Sequence, residues 1–182
     1  SGVIWLGTYF GVNRYNRQER QFTNYEHILN DPQSMTSSGV IDLCLGSQNK
    51  LWIGTDHGLN VMDLTTGKIS NFVDDPLFPT EVQSLLVGMF EDHLGMLWIT
   101  TNAGLYQLNA ERTNLVHFMA NPSEPGSISH NSINEVIEDE QGSIWVSTSS
   151  GLNKYQRKTR QFEHFFEGFE VDALLIPNQV DT

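Results

Sequence analysis

The sequence predicts an all-β fold, a β-propeller built of four-stranded antiparallel blades. Every tryptophan recurs at intervals of 46 or 47 residues, at Trp5, Trp52, Trp98 and Trp145. Each is followed six residues later by a glycine, at Gly11, Gly58, Gly104 and Gly151. Self-similarity at this period, with several short β-rich runs in each unit, is typical of propeller blades.

The last complete period illustrates the strands of one blade. Residues 133–137 predict a first strand, which ends at an acidic, glycine-containing turn. The alternating residues 144–148 predict a second strand, and Gly151 then supplies a tight turn into a third strand over 152–156. Residues 162–165 predict the outer strand. No segment shows helical periodicity, which excludes a helical solenoid.

Aligning the four periods predicts the organisation of the whole chain, 1–182, as a single propeller. The predicted blades are 1–25 (lacking its innermost strand), 38–73, 84–119 and 131–166, with 178–182 beginning a further blade. Proline and Asn/Asp residues between them predict ordered connectors. We expect a segment of a larger propeller; the alternatives are closure of the tail on the first blade, or of two copies into a double-sized ring.

Composition excludes several kinds of partner. The net charge is −12 and no basic run occurs, which argues against nucleic acid and anionic membrane surfaces. No stretch is apolar enough to insert into a membrane. The lone cysteine, Cys44, lies in an apolar run and predicts a buried small hydrophobe. The six histidines lack metal-ligand spacing, so no metal or other cofactor is predicted.

Candidate ligand-binding residues lie where the repeats differ. The tryptophan and glycine columns recur in every blade, so we interpret them as packing and turn residues. The two-residue turns before each glycine instead change in chemistry, and such loops carry function in propellers. The candidates at these turns are Tyr9, Phe10, Asp56, His57, Asn102 and Ser149. The aromatic pair is suited to stacking on a sugar ring or to burial by a neighbouring blade, and the polar residues to orienting a ligand or to solvating the turn.

Enzymatic function is not predicted for this chain. Asp and Glu recur in turns, where capping explains them better than a paired acid and base of a glycosidase. A nucleophile-elbow serine motif is absent. A lyase-like enzyme acting on polysaccharide stays open as an alternative, as does a purely structural segment that mediates dimerisation.

The repeat resembles the two-component regulator propeller repeat. The resemblance rests on Glu138-Asp139, Gly142, Ile144-Trp145-Val146, Thr148, Gly151-Leu152-Asn153, Tyr155, Phe162 and Phe165, and on the connector Asn30-Asp31-Pro32-Gln33-Ser34. It implies a periplasmic sensor region of a bacterial receptor, whose output domain is a histidine kinase, a hybrid kinase-regulator or a diguanylate cyclase. It also implies a carbohydrate or other small extracellular ligand. Further blades of the same receptor or a second copy are expected as partners, because an open array of blades exposes unpaired strand edges.

Overall fold

The computed structural model describes residues 2–165, except for the side chain of Ser84. In this part of the chain four antiparallel sheets follow one another, and we call them blades 1 to 4. The all-β propeller fold predicted from the sequence is confirmed. The predicted start of a further blade at 178–182 lies outside the described residues.

Blade 1 has three strands and the other blades have four, each in sequential order. The strands of blades 1 and 2 are β1 (Val3–Thr8), β2 (Gly11–Asn16), β3 (Gln21–Tyr25), β4 (Val40–Gly46), β5 (Lys50–Thr55), β6 (Gly58–Asp63) and β7 (Ile69–Asn71). Those of blades 3 and 4 are β8 (Leu86–Glu91), β9 (Leu97–Thr101), β10 (Gly104–Leu108), β11 (Leu115–Phe118), β12 (Ile133–Glu138), β13 (Ile144–Thr148), β14 (Gly151–Gln156) and β15 (Gln161–Phe165). The tryptophan strands are therefore β1, β5, β9 and β13.

The glycine column closes the two-residue turns between the tryptophan strand and the next strand. Gly11, Gly58, Gly104 and Gly151 have φ between 105° and 125°. At Gly11 a Cβ atom would lie 2.1 Å from the carbonyl oxygen of Tyr25. Glycine is required here because both the positive φ and the close approach of the outer strand exclude a side chain.

The hydrophobic core consists of three clusters, each between consecutive blades. Trp98 of blade 3 is fully buried, lies 5.0 Å from Tyr155 of blade 4 and shares a cluster with Ile144 and Phe162. Trp52 of blade 2 lies in the equivalent cluster with blade 3. Trp5 packs against the cluster between blades 1 and 2. Within the described residues, blades 2 and 3 are thus held by apolar contacts on both faces, and blades 1 and 4 on one face, as expected for sheets that are too small to bury a core alone.

Each connector between blades is tied to the blade that follows it. In blade 2 the buried amide of Asn60 accepts a hydrogen bond from Thr36 N (2.9 Å) and donates to Thr36 Oγ1 (3.0 Å). Asn153 makes the same pair of bonds with Ser129 in blade 4.

Blade 3 replaces this amide with Tyr106 and fastens its connector by apolar contacts. The connector contains a short helix, α1 (Thr80–Ser84), which the sequence analysis did not predict. Phe78 and Val82 from this segment are buried in one cluster with Tyr106. Tyr106 can therefore replace the asparagine of the other blades, because the connector of blade 3 supplies apolar side chains for it to pack against.

Candidate functional site

The variable turns and the connectors lie at the same end of the sheets, which we call the connector end. Successive turns of an antiparallel sheet alternate between its two ends. Main-chain hydrogen bonds join three of the turns to connectors: Asp56 N donates to Gly39 O (3.0 Å), Asn102 N to Leu85 O (3.3 Å) and Ser149 N to Ser132 O (3.1 Å). Gly11 N, directly after the first turn, donates to Ser38 O (2.8 Å).

Tyr9 and Phe10 are the most exposed aromatic residues at this end. Their exposed fractions are 86% and 80%. Among residues 2–165, Tyr9 and Phe10 make one hydrogen bond with a side chain, from Phe10 N to Thr8 Oγ1 (3.1 Å). Within the described part of the chain, therefore, no neighbouring blade buries these rings, and their faces are available for stacking.

Asp56 and His57 form a polar pair at the second turn. His57 Nδ1 lies 3.0 Å from Asp56 Oδ1, and both side chains are largely exposed. A hydrogen bond from the Ser37 side chain lowers the pKa of Asp56 below its ordinary value, and His57 adds to this effect. The carboxylate is therefore ionised at neutral pH and fixed against the connector, where it can accept hydrogen bonds.

Asn102 and Ser149 approach each other through one connector residue. The Ser132 hydroxyl donates to Asn102 Oδ1 (3.5 Å), and Ser132 O accepts the hydrogen bond from Ser149 N. The turns of blades 1 and 2 are joined in a similar way by Ser38 and Gly39. The six predicted residues thus lie on turns at one end of the four blades, and a single connector residue links Asn102 with Ser149.

An inner-strand cavity of about 420 Å³ contains polar residues that sequence reasoning missed. It is lined by strands β4, β8 and β12 and by Thr100 of β9, and its polar wall residues include Asp42 and Glu135. Asp42 Oδ2 accepts a hydrogen bond from Met89 N (2.7 Å) on the adjacent inner strand. The sequence does contain a pattern that points to these residues, since Asp42 and Glu135 both lie ten residues before a tryptophan, in otherwise β-rich runs.

The opposite end of the sheets carries an ionic network between blades, which we call the junction network. Between blades 3 and 4, Arg157 Nη1 lies 2.9 Å from Asp92 Oδ2 and Nη2 lies 3.0 Å from Glu138 Oε1. The Asp92 carboxylate, which is fully buried, also accepts a hydrogen bond from Trp98 Nε1 (2.9 Å). Glu138 accepts one from His93 N (2.9 Å) and contacts the His93 ring. The network therefore ties the tryptophan of one blade to the arginine of the next.

Between blades 2 and 3, Glu91 takes over the role of an absent aspartate. The turn of blade 2 contains Ser47 but lacks the Asp that accepts from the indole in blades 3 and 4. Glu91 reaches back from blade 3 and accepts hydrogen bonds from Ser47 N (2.7 Å) and Trp52 Nε1 (2.9 Å). Arg112 pairs with Glu91 at 2.7 Å and lies 4.9 Å from the centre of the Trp52 ring. Burial opposes ionisation of Glu91, but the hydrogen bonds from Ser47 and Trp52 and the charge of Arg112 lower its pKa.

Within residues 2–165 no group of three or more His, Cys, Asp or Glu side chains is placed to hold a metal ion. No helix in that range is long and apolar enough to cross a membrane.

The blade pattern matches a known repeat family. The sequence model described as "Two component regulator propeller" matches residues 127–150, which include β12, β13 and the turn after it. Residues 127–150 therefore carry the two-component regulator propeller repeat. The resemblance stated from the sequence is thereby confirmed.

Proteins similar to this chain include a histidine kinase and extracellular domains of two-component systems. Histidine kinase P4 of Formosa agariphila is 37% identical over 67 residues, which are 35% of this chain and 5% of that protein. The extracellular domain described as part of a hybrid two component system of B. thetaiotaomicron superposes with a TM-score of 0.75 and 29% identity, over 90% of this chain and 22% of that one. A second such domain from B. thetaiotaomicron has a TM-score of 0.70 and 21% identity, over 91% of this chain and 24% of that one, and shows the fold alone. The chain thus spans a quarter or less of each of these proteins.

Proposed function

We propose that this chain is a non-catalytic ligand-sensing module of a bacterial membrane receptor, located in the periplasm. The output domain in this proposal is a histidine kinase, a hybrid kinase-regulator or a diguanylate cyclase. The regulator propeller repeat and the likeness to an extracellular domain of a hybrid two-component system support the assignment.

The observation that carries the proposal is the division of each blade into two ends. The recurring tryptophan, acidic and arginine residues join the blades at one end, while residues of unlike chemistry lie exposed at the connector end. Tyr9 and Phe10 supply aromatic faces, and Asp56 and His57 supply a fixed acceptor and a donor. Aromatic faces beside polar groups of this kind suit a carbohydrate, whose rings present apolar C–H faces and hydroxyl edges.

Binding of the purified chain to a panel of neutral and acidic oligosaccharides tests the proposal. Tyr9→Ala should weaken binding roughly three- to tenfold, since an aromatic contact is worth ~1 kcal/mol. His57→Ala should also weaken it. Leu94→Ser is the matched control, because Leu94 is half exposed but lies at the opposite end of blade 3.

Two outcomes would overturn the proposal. If neither Tyr9→Ala nor His57→Ala changed the affinity for the oligosaccharide, the binding site would not lie at the connector end. Release of a new product from any of the oligosaccharides would replace a sensor by a polysaccharide-acting enzyme.

A further inference from the structure

A pocket of about 350 Å³ lies between blades 3 and 4, at the end of the sheets opposite the connectors. We call it the junction pocket. Blade 3 contributes the turns that precede β9 and β11, and blade 4 contributes β14 and the turn that follows it. Both walls therefore come from consecutive blades that share one hydrophobic cluster. The volume falls within the range of roughly 300–1,000 Å³ that is typical of small-ligand sites.

Two buried polar side chains in the wall of this pocket lack a partner. The exposed fraction is 9% for Gln107 and 5% for Tyr155. Within residues 2–165 the one side-chain nitrogen or oxygen atom that is enclosed without a partner is Arg157 Nε. The Gln107 amide and the Tyr155 hydroxyl, which make no hydrogen bond in that range, therefore open onto the pocket. Since buried polar groups are nearly always hydrogen-bonded, this pair indicates that a polar molecule completes the site.

Packing of the blades does not require this polar pair. Gln107 and Tyr155 lie nine and ten residues after the tryptophans of blades 3 and 4, respectively. At the junction of blades 2 and 3, the corresponding residues are Val61 and Leu108. Both are apolar and belong to the hydrophobic cluster of that junction. The hydrogen-bonding groups are thus a special feature of the junction pocket.

The charged side chains that line the pocket, among residues 2–165, are Arg157 and Arg160. Arg157 is already paired with Asp92 and Glu138 in the junction network. Arg160 makes no ion pair or side-chain hydrogen bond in the described part of the chain, so its charge remains for a ligand. A guanidinium group matches a carboxylate, because its planar donors form two parallel hydrogen bonds with the two oxygens.

We propose that the junction pocket binds a small organic carboxylate that carries hydroxyl groups, such as a sugar acid or a hydroxy acid. Arg160 pairs with the carboxylate, and Gln107 and Tyr155 form hydrogen bonds with the hydroxyl groups. Met96 and Val116 supply the apolar part of the wall. This site is separate from the connector end and does not rest on the function proposed above.

Calorimetric titration of the purified chain with glucuronate, malate and glucose tests the ligand class. We expect a carboxylate to bind at least about tenfold more tightly than glucose, which lacks the charge that a guanidinium recognises. Tighter binding of glucuronate would identify a sugar acid, and tighter binding of malate a hydroxy acid. Failure of both carboxylates to bind, or an equal affinity for glucose, would overturn the proposal.

Arg160→Gln tests the carboxylate partner, and Arg20→Gln is the matched control. Arg20 and Arg160 both lie fifteen residues after a tryptophan, and their φ angles are 56° and 59°. Arg20 lies in blade 1, away from the pocket. Arg160→Gln should weaken carboxylate binding at least about tenfold, because it removes the only free charge of the site in the described part of the chain. Equal affinities of the two variants would overturn the assignment.

Tyr155→Phe and Gln107→Met test the two unpaired polar groups while keeping most of the packing. Each should weaken carboxylate binding at least about threefold and leave the urea midpoint of unfolding unchanged or higher, because a buried group without a partner is removed. A lower midpoint with unchanged binding would show a structural role instead and would overturn the proposal.

Tyr9→Ala separates this site from the connector end, and it should leave carboxylate binding unchanged. Loss of carboxylate binding in that variant would place the carboxylate at the connector end and overturn the assignment. Leu94 lies on the rim of the junction pocket, so Leu94→Ser is a control for the connector end only when the ligand is a neutral oligosaccharide.

Discussion

Replacing Arg157 by methionine tests whether the junction network holds blade 4 against blade 3. The guanidinium bridges Asp92 in one blade and Glu138 in the other, and the Asp92 side chain is fully buried. Methionine keeps much of the aliphatic stem but removes the charge and the donors. Two carboxylates then lose their shared cation in a place from which water is largely excluded.

The magnitude follows from what each group keeps. Breaking a buried ion pair by removing one partner costs about 3–5 kcal/mol. Asp92 retains hydrogen bonds from Trp98 Nε1, Leu94 N and Met96 N, which reduces this loss. In addition, Arg157 Nε is buried without a partner within residues 2–165, so the substitution relieves a penalty of ~1 kcal/mol. We therefore expect Arg157→Met to lower the free energy of unfolding by about 2 kcal/mol.

Urea unfolding at neutral pH measures this change, and Arg160→Met in the same turn is the matched control. The Arg160 side chain is exposed and makes no ion pair or side-chain hydrogen bond in the described part of the chain. Its replacement should change the free energy of unfolding by less than about 0.5 kcal/mol. Equal losses in the two proteins would refute the inference that the network stabilises the junction.

Three further predictions concern other parts of the blades. Asn153→Ala should lower the free energy of unfolding by about 2 kcal/mol in urea titrations, because Ser129 N would be left without its amide partner. The pKa of Glu91 is lowered in the folded state, so the stability contributed by its carboxylate is present at neutral pH and is lost as the pH falls through the carboxyl range. Glu91→Gln should therefore reduce the fall in the free energy of unfolding between neutral and acidic pH. An unchanged fall would contradict this role of Glu91. Cys44 is partly rather than fully buried, and desolvation raises the pKa of its thiol to about 11. Iodoacetamide at pH 8 should therefore label the folded chain at least about tenfold more slowly than the urea-unfolded chain, and equal rates would contradict the raised pKa.

The sequence was sufficient for the fold because the repeat provides four aligned versions of one pattern. The tryptophan, glycine and outer aromatic columns lie at fixed offsets, and each offset corresponds to a strand or a turn. The helix 80–84 could not be predicted in this way, because it occurs in one connector only. Val82 of this helix and Phe78 before it pack against Tyr106 and take the place of the side-chain hydrogen bonds made by Asn60 and Asn153. Such a replacement involves residues that lie far apart in the sequence.

Less of the candidate site could be predicted. The sequence places Tyr9, Phe10, Asp56 and His57 at turns, but not their exposure or their hydrogen bonds to the connectors. The junction network was missed because its members lie in separate periods, as the bond from Trp52 to Glu91 illustrates. The Glu-Asp pairs before Trp98 and Trp145 fit turn capping in the sequence. In the structure only the aspartates accept hydrogen bonds from their own turns. The glutamates instead reach the preceding blade, and only three-dimensional placement reveals that role.

The two ends of each blade vary in sequence for different physical reasons. At the junction network, side chains make the contacts, so the loss of an aspartate in blade 2 requires a replacement acceptor, and Glu91 provides it. At the connector end, a main-chain hydrogen bond joins each of these turns to its connector, whatever the side chains of Asp56, Asn102 or Ser149 are. The side-chain bonds of Asp56 with Ser37 and of Asn102 with Ser132 are additional to it. Turn residues can therefore change in chemistry without weakening the junction between blades. This independence is the condition under which repeats of one fold can diverge to bind a ligand.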